Sequence, residues 1–157
     1  MAHAVSENKW DKAETYAKEY LETAEQYKDN WNYGNAIFYG NITLSRGALY
    51  KNEMILAKKY FIRASKTPGS AQLNSFGPFV YKNTTTLISE LLHKKEKKVV
   101  IEFLNNCRIF LNHESTKKLT PDEQKLKEKV QGYNNRYLDH VILQVQSNEI
   151  PDFKFLP

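Results

Sequence analysis

The sequence predicts an all-α fold: about six helices stacked as antiparallel hairpins in a single domain, with a core over about residues 6–147 and a tail at 148–157. Three observations predict it. Apolar residues recur at three- and four-residue spacing along most of the chain, the period of a helix with one buried face. One spacing returns three times: Ala17-x3-Leu21-x2-Ala24, then Ala57-x3-Phe61-x2-Ala64 after 40 residues, then Val99-x3-Phe103-x2-Asn106 after 42. Self-similarity at such a period marks stacked helical hairpins, because one hairpin cannot cover its own apolar face. The third observation is bulk. A chain of 157 residues with 10 Tyr and 8 Phe has the length and side-chain volume for one core without covalent staples.

The first helix is expected from a Ser6 cap to about Lys28. Its stripe is Trp10, Ala13, Ala17, Tyr20, Leu21, Ala24 and Tyr27, with the alanines letting a neighbour approach closely. The second helix is expected over Trp31 to Lys51, with Ile37, Leu44, Ala48 and Leu49 as its stripe, broadened by Phe38 and Ile42. Gly34, Gly40 and Gly47 lie inside it. Each costs a helix about 1 kcal/mol against Ala, so each is read as a point of close backbone packing. Asn52 turns the chain, since it tolerates the left-handed conformation. A third helix follows from Glu53 to Lys66, facing inward with Ile55 or Leu56, then Ala57, Tyr60, Phe61 and Ala64, and stopped by Pro68 and Gly69.

From Thr67 to Tyr81 there is no charged residue. The segment TPGSAQLNSFGP reads as a long loop, pinned by Leu73 and Phe76 and displaying Gln72, Asn74 and Ser75. It is either a partner-binding loop or a linker that closes the bundle. Pro78 opens a fourth helix to about His93, with Val80, Thr84, Leu87, Ile88, Leu91 and Leu92 inward. A fifth carries Val99, Val100, Phe103, Leu104, Cys107, Phe110 and Leu111. Thr120-Pro121-Asp122-Glu123 is a strong helix start, with Thr as cap, Pro first and Glu three later. The sixth helix then presents Leu126, Val130, Tyr133, Tyr137, Val141 and Val145. The apolar tail at 152–156 is expected to fold back onto the body.

These features resemble the tetratricopeptide repeat (TPR) family. Leu44, Ser45, Ala48, Ala57, Phe61, Ala64 and the nearby Pro68 match one full copy of its pattern over about residues 38–69. Asn41 stands where the family often has Trp, and Asn52 where it often has Gly. The segment TPGSAQLNSFGP with Ile150-Pro151-Asp152-Phe153 is also similar to a group of small bacterial TPR-like proteins of unassigned function. The resemblance implies a non-catalytic interaction module. The first helix of each hairpin would line a groove for a peptide or helix of a partner protein, here through Tyr39, Ile42, Arg46 and Tyr50 on the second helix and Tyr81 and Thr84 on the fourth.

Charge is uneven. Residues 1–50 hold 5 Lys/Arg and 7 Asp/Glu, while residues 51–157 hold 18 and 11. Lys94, Lys95, Lys97 and Lys98 form either an anion-binding surface or a solvated helix junction. A nucleic-acid binder using this basic part is the alternative class of function, beside a toxin-neutralising, immunity-type protein. No enzyme is expected. His3, His93, His113 and His140 have no second ligand at helical spacing, so neither metal nor cofactor is expected. Cys107 lies on an apolar stripe and reads as a buried structural thiol. One cysteine, no apolar run of membrane-spanning length and a polar N-terminus make the cytoplasm the expected compartment.

Overall fold

A computed structural model describes residues 4, 5, 7, 9–69, 73, 82–112 and 119–153. Among them the chain forms six helices of eight or more residues and no strand: α1 Trp10–Glu25, α2 Tyr33–Tyr50, α3 Met54–Ser65, α4 Lys82–His93, α5 Lys97–Leu111 and α6 Pro121–Gln146. The fold is all-α. Short connections at 51–53 and 94–96 make α2–α3 and α4–α5 antiparallel hairpins. The two hairpins lie side by side, α2 against α4 and α3 against α5; α1 covers the other side of α2, and α6 packs on α5.

The recurring sequence pattern forms the seams. Ala57, Phe61 and Ala64 are fully buried on α3. Phe61 and Phe103, at equivalent positions of the pattern, stack with ring centroids 3.9 Å apart and planes 5° from parallel. Phe38 of α2 closes on the same centre, 6.4 Å from both Phe103 and Phe110. Each buried Phe or Leu side chain contributes roughly 1.5–3 kcal/mol of apolar transfer, before the opposing loss of chain entropy. The alanines bring the helix axes close enough for the rings to meet. Ser45 Oγ donates to Ala57 O at 2.8 Å across the α2–α3 seam. Asn106 Nδ2 donates to Ser65 Oγ at 3.0 Å across α3–α5.

The seven residues expected to face inward on α5 are all buried. Asn52 has φ 61°, as the turn requires. The same device closes two more helices. Lys95 and Asn148 also sit in the left-handed region, at φ 64° and 62°. In each case the next amide reaches back five residues: Glu53 to Ala48 O, Glu96 to Leu91 O and Glu149 to Gln144 O. Thr120 and Glu123 form the reciprocal capping box at the start of α6.

Several expectations are corrected. α1 starts at Trp10 and ends at Glu25, and Lys9 precedes it without a side-chain cap. Ser6 lies outside the described residues, while Ala4 and Val5 pack with Trp10 and Ala13 in a small separate cluster. α2 has no single stripe: 13 of its 18 residues are buried, so it is enclosed on nearly every side. Close packing explains Gly34 and Gly40. A Cβ on Gly34 would strike Pro68 O, and one on Gly40 would stand 2.6 Å from Leu21 Cδ2. It does not explain Gly47, where the nearest atom would be Trp10 Cε3 at 3.9 Å.

The stripe expected along α6 fails in its first half. Val141 and Val145 are buried together with Leu138, but Leu126 is 63% exposed. The reason is length. At about 1.5 Å per residue, a helix of this size overruns its neighbour by about 16 Å; α6 has 26 residues and α5 only 15. Reciprocal amide bonds between Asn112 and Asn135, both 3.0 Å, and the Arg108–Asp139 ion pair at 2.6 Å hold the register of the part that overlaps. Pro151 is buried and Phe153 packs against the core, so the tail folds back as far as it is described. Leu73 is buried, as expected of a pinning residue; Phe76, Pro78 and Val80 lie outside the described residues. Of the lysine run, Lys97 belongs to the helix junction, where its Nζ caps α6 through Gln146 O at 2.9 Å, and Glu96 within the run pairs with Lys58 at 3.0 Å; Lys94, Lys95 and Lys98 are exposed.

The glycines give a paired test. Gly34→Ala forces the α2 backbone away from Pro68 and is expected to cost about 1–3 kcal/mol. Gly132→Ala in α6 meets only the flexible Arg136 Nη1 at 3.6 Å. It is expected to gain up to about 1 kcal/mol from helix propensity. Urea unfolding midpoints of the two variants should move in opposite directions.

Candidate partner-binding face

Tyr39, Arg46 and Tyr50 fall on one side of α2 at i, i+7 and i+11. Tyr39 is half-buried, edge-on to Phe38 with centroids 5.8 Å apart. Arg46 is the structural centre of the face. Its Nη1 donates to Asn83 Oδ1 at 2.8 Å, its Nη2 lies 3.7 Å from Glu90 Oε1, and its guanidinium sits over the Trp10 ring at 5.2 Å. One cation therefore joins α1, α2 and α4. Only 16% of its side chain is exposed. Arg46 Nε, Trp10 Nε1 and Thr84 Oγ1 are buried polar atoms without a hydrogen-bond partner among the described residues. Unmet donors of this kind are uncommon in protein interiors.

Tyr50, one turn beyond Arg46, leans on Trp10 with centroids 5.6 Å apart, yet is 64% exposed. It borders an open depression of about 510 Å³ lined by Lys9, Trp10, Asp11, Lys12, Tyr50 and Lys51. The floor is aromatic and the rim is charged. The rim is also braced. Lys51 Nζ reaches both Asp11 and Glu14 at 2.7 Å, and Glu14 also pairs with Lys18 at 2.6 Å. Hydrogen bonds from Lys18 and then Lys51 hold the Glu14 carboxyl below its ordinary value; those from Lys51 to Asp11 and Glu14 raise the Lys51 ammonium above its own.

The sequence-derived set is thus only partly assembled. Arg46 and Tyr50 come together, with Tyr39 further along the same face. Ile42 is 2% exposed and Thr84 is fully buried, so neither offers a surface to a partner. Both are enclosed by the body, Ile42 as part of the main core. Gln72, Asn74, Ser75 and Tyr81 lie outside the described residues. The structure adds Trp10, Asn83 and Glu90. Asn83 and Glu90 are spaced i, i+7 on α4, a signal that was present in the chain; Trp10 was assigned wholly to the core.

Other chemistry is sparse. Burial pushes the Cys107 thiol well above its ordinary value, which suppresses the thiolate needed for nucleophilic reaction. No group of three His, Cys, Asp or Glu side chains that could hold a metal occurs among the described residues. No helix among them is long and apolar enough to cross a membrane. Comparisons with family profiles, with curated protein sequences and with solved structures find no match to this chain.

The rim has a pH signature. Because the Glu14 value is depressed on folding, its contribution is full above 4.5 and is lost as pH falls through the lower, folded-state value. The contribution is below about 1 kcal/mol for so exposed a group. Glu14→Gln should therefore lower the urea midpoint slightly at neutral pH and leave it closer to the unsubstituted protein below pH 4.5.

Proposed function

We propose that this chain is a non-catalytic interaction module that holds a peptide or helix of another protein against α2 and α4, around Arg46 and Tyr50. The observation that carries this reading is the position of Arg46: a nearly buried cation tied to three helices, beside an exposed tyrosine and an aromatic-floored depression. Exposed aromatic side chains next to a positioned arginine are the residue types that dominate binding energy at interfaces. The pairing of α2 with α4 and of α3 with α5 is what a TPR-like stack requires, and it supports that likeness. A reduced, buried cysteine accords with the cytoplasm as the working compartment.

The test places a photoreactive amino acid at Tyr50 and, as a control, at Ile55, which is 85% exposed on α3. The expected result is a protein crosslink from Tyr50 and none from Ile55. Excess unlabelled protein should compete it away, and folded Arg46→Ala protein should compete at least tenfold less well. Equal crosslinks from both positions, or a product destroyed by nuclease, would contradict the reading.

A further inference from the structure

The overhanging first half of α6 is a second surface, separate from the α2–α4 face. At about 100° per residue, Leu126, Val130 and Tyr133 form one narrow apolar stripe, and Lys125, Lys129 and Arg136 form a row about 90° to one side of it. The buried Leu138, Val141 and Val145 lie on the other side, toward the body. Leu126 is 63% exposed, Tyr133 is 38% exposed and Val130 is half-buried. All three cations of the row are exposed, and none has an ion pair among the described residues. Of the nearby acids, Glu123 closes the capping box and Glu128 accepts from Gln124 at 2.9 Å, while Asp122 lies in the first turn, at the N-terminal end of the stripe.

We propose that this half of α6 docks an acidic amphipathic helix of another protein, whose apolar residues cover Leu126, Val130 and Tyr133 and whose Asp or Glu side chains meet Lys125, Lys129 and Arg136. Charge complementarity selects this occupant. A second copy laid antiparallel on the same stripe sets the cation row against its own counterpart, which is repulsive. An anionic lipid surface lying flat on the stripe meets Asp122 and Glu123 at its end, also repulsive. A helix whose acids face Lys125, Lys129 and Arg136, and which ends short of Asp122 and Glu123, meets neither penalty. Steering by the unpaired cations makes association faster at low ionic strength.

The probe is a fluorescein-labelled helical peptide with Leu at i, i+4 and i+7 and Glu beside each, compared with a scrambled peptide of the same composition. The intact chain should bind the patterned peptide at least tenfold more tightly than the scrambled one. Lys125→Glu with Lys129→Glu and Arg136→Glu should cost at least tenfold and shift preference to a patterned peptide with Lys in place of Glu. These positions are exposed, so the variant keeps its circular dichroism and melting temperature. Equal binding of the two peptides overturns the proposal, as does unchanged binding by the reversed variant. So does a response confined to phosphatidylserine vesicles, or a dimer in sedimentation equilibrium that Leu126→Glu dissolves. The α2–α4 face is untouched by these substitutions, so its crosslink from Tyr50 is unaffected by either result.

Discussion

The enclosure of α2 places everything else. A helix buried on nearly all sides must satisfy its polar groups internally and must let neighbours come close without a gap. The chain meets both demands with small residues and short amides. Asn41 Nδ2 returns to Ile37 O at 2.8 Å, Asn35 Nδ2 to Asn32 Oδ1 at 2.7 Å, and Ser45 Oγ reaches α3. Thr67 Oγ1 donates to Gly34 O at 3.0 Å, fixing the end of the α3 segment on the start of α2. Gly40 admits Leu21 of α1, and Gly34 admits the backbone at Pro68. Each neighbour is positioned by what the α2 surface accepts.

The proposed function rests on that rigidity. Arg46 is held from both flanks, by Trp10 and by Asn83 with Glu90, so its guanidinium is presented in one orientation. A partner that binds there does not have to order it. The two ends of the molecule differ. At α2 the side chains are locked and the depression is preformed; α6 is anchored only from about Asn135 onward, and its first half offers a plain amphipathic edge. As proposed, one surface would select by shape, the other by charge and pattern.

What was legible in the chain was local or periodic. The capping box at Thr120, the turn at Asn52 and the seven inward residues of α5 depend on neighbours within a few residues or on one unbroken period, and all appear as expected. What was not legible depended on distant partners. Whether Leu126 is buried is decided by how far α5 extends, not by the spacing within α6. Lys97 looked like part of a basic patch until it met the end of α6, 49 residues on. The burial of α2 had a readable sign that the stripe analysis passed over: from Asn30 to Ser45 the chain has no charged residue, as expected of a helix surrounded by protein. At the candidate face, Arg46 and Tyr50 were found by position, but Ile42 and Thr84 share that register closely enough to be misplaced by one side of a helix.

The most direct test of the central role of α2 is native-state hydrogen exchange followed residue by residue. If α2 is the element on which the others depend, the amides of residues 38–49 exchange only through global unfolding, with the free energy measured by urea denaturation, while those of residues 124–133 in α6 exchange through far smaller openings. Exchange of the α2 amides by local opening, ahead of those in α3 and α5, would contradict the account.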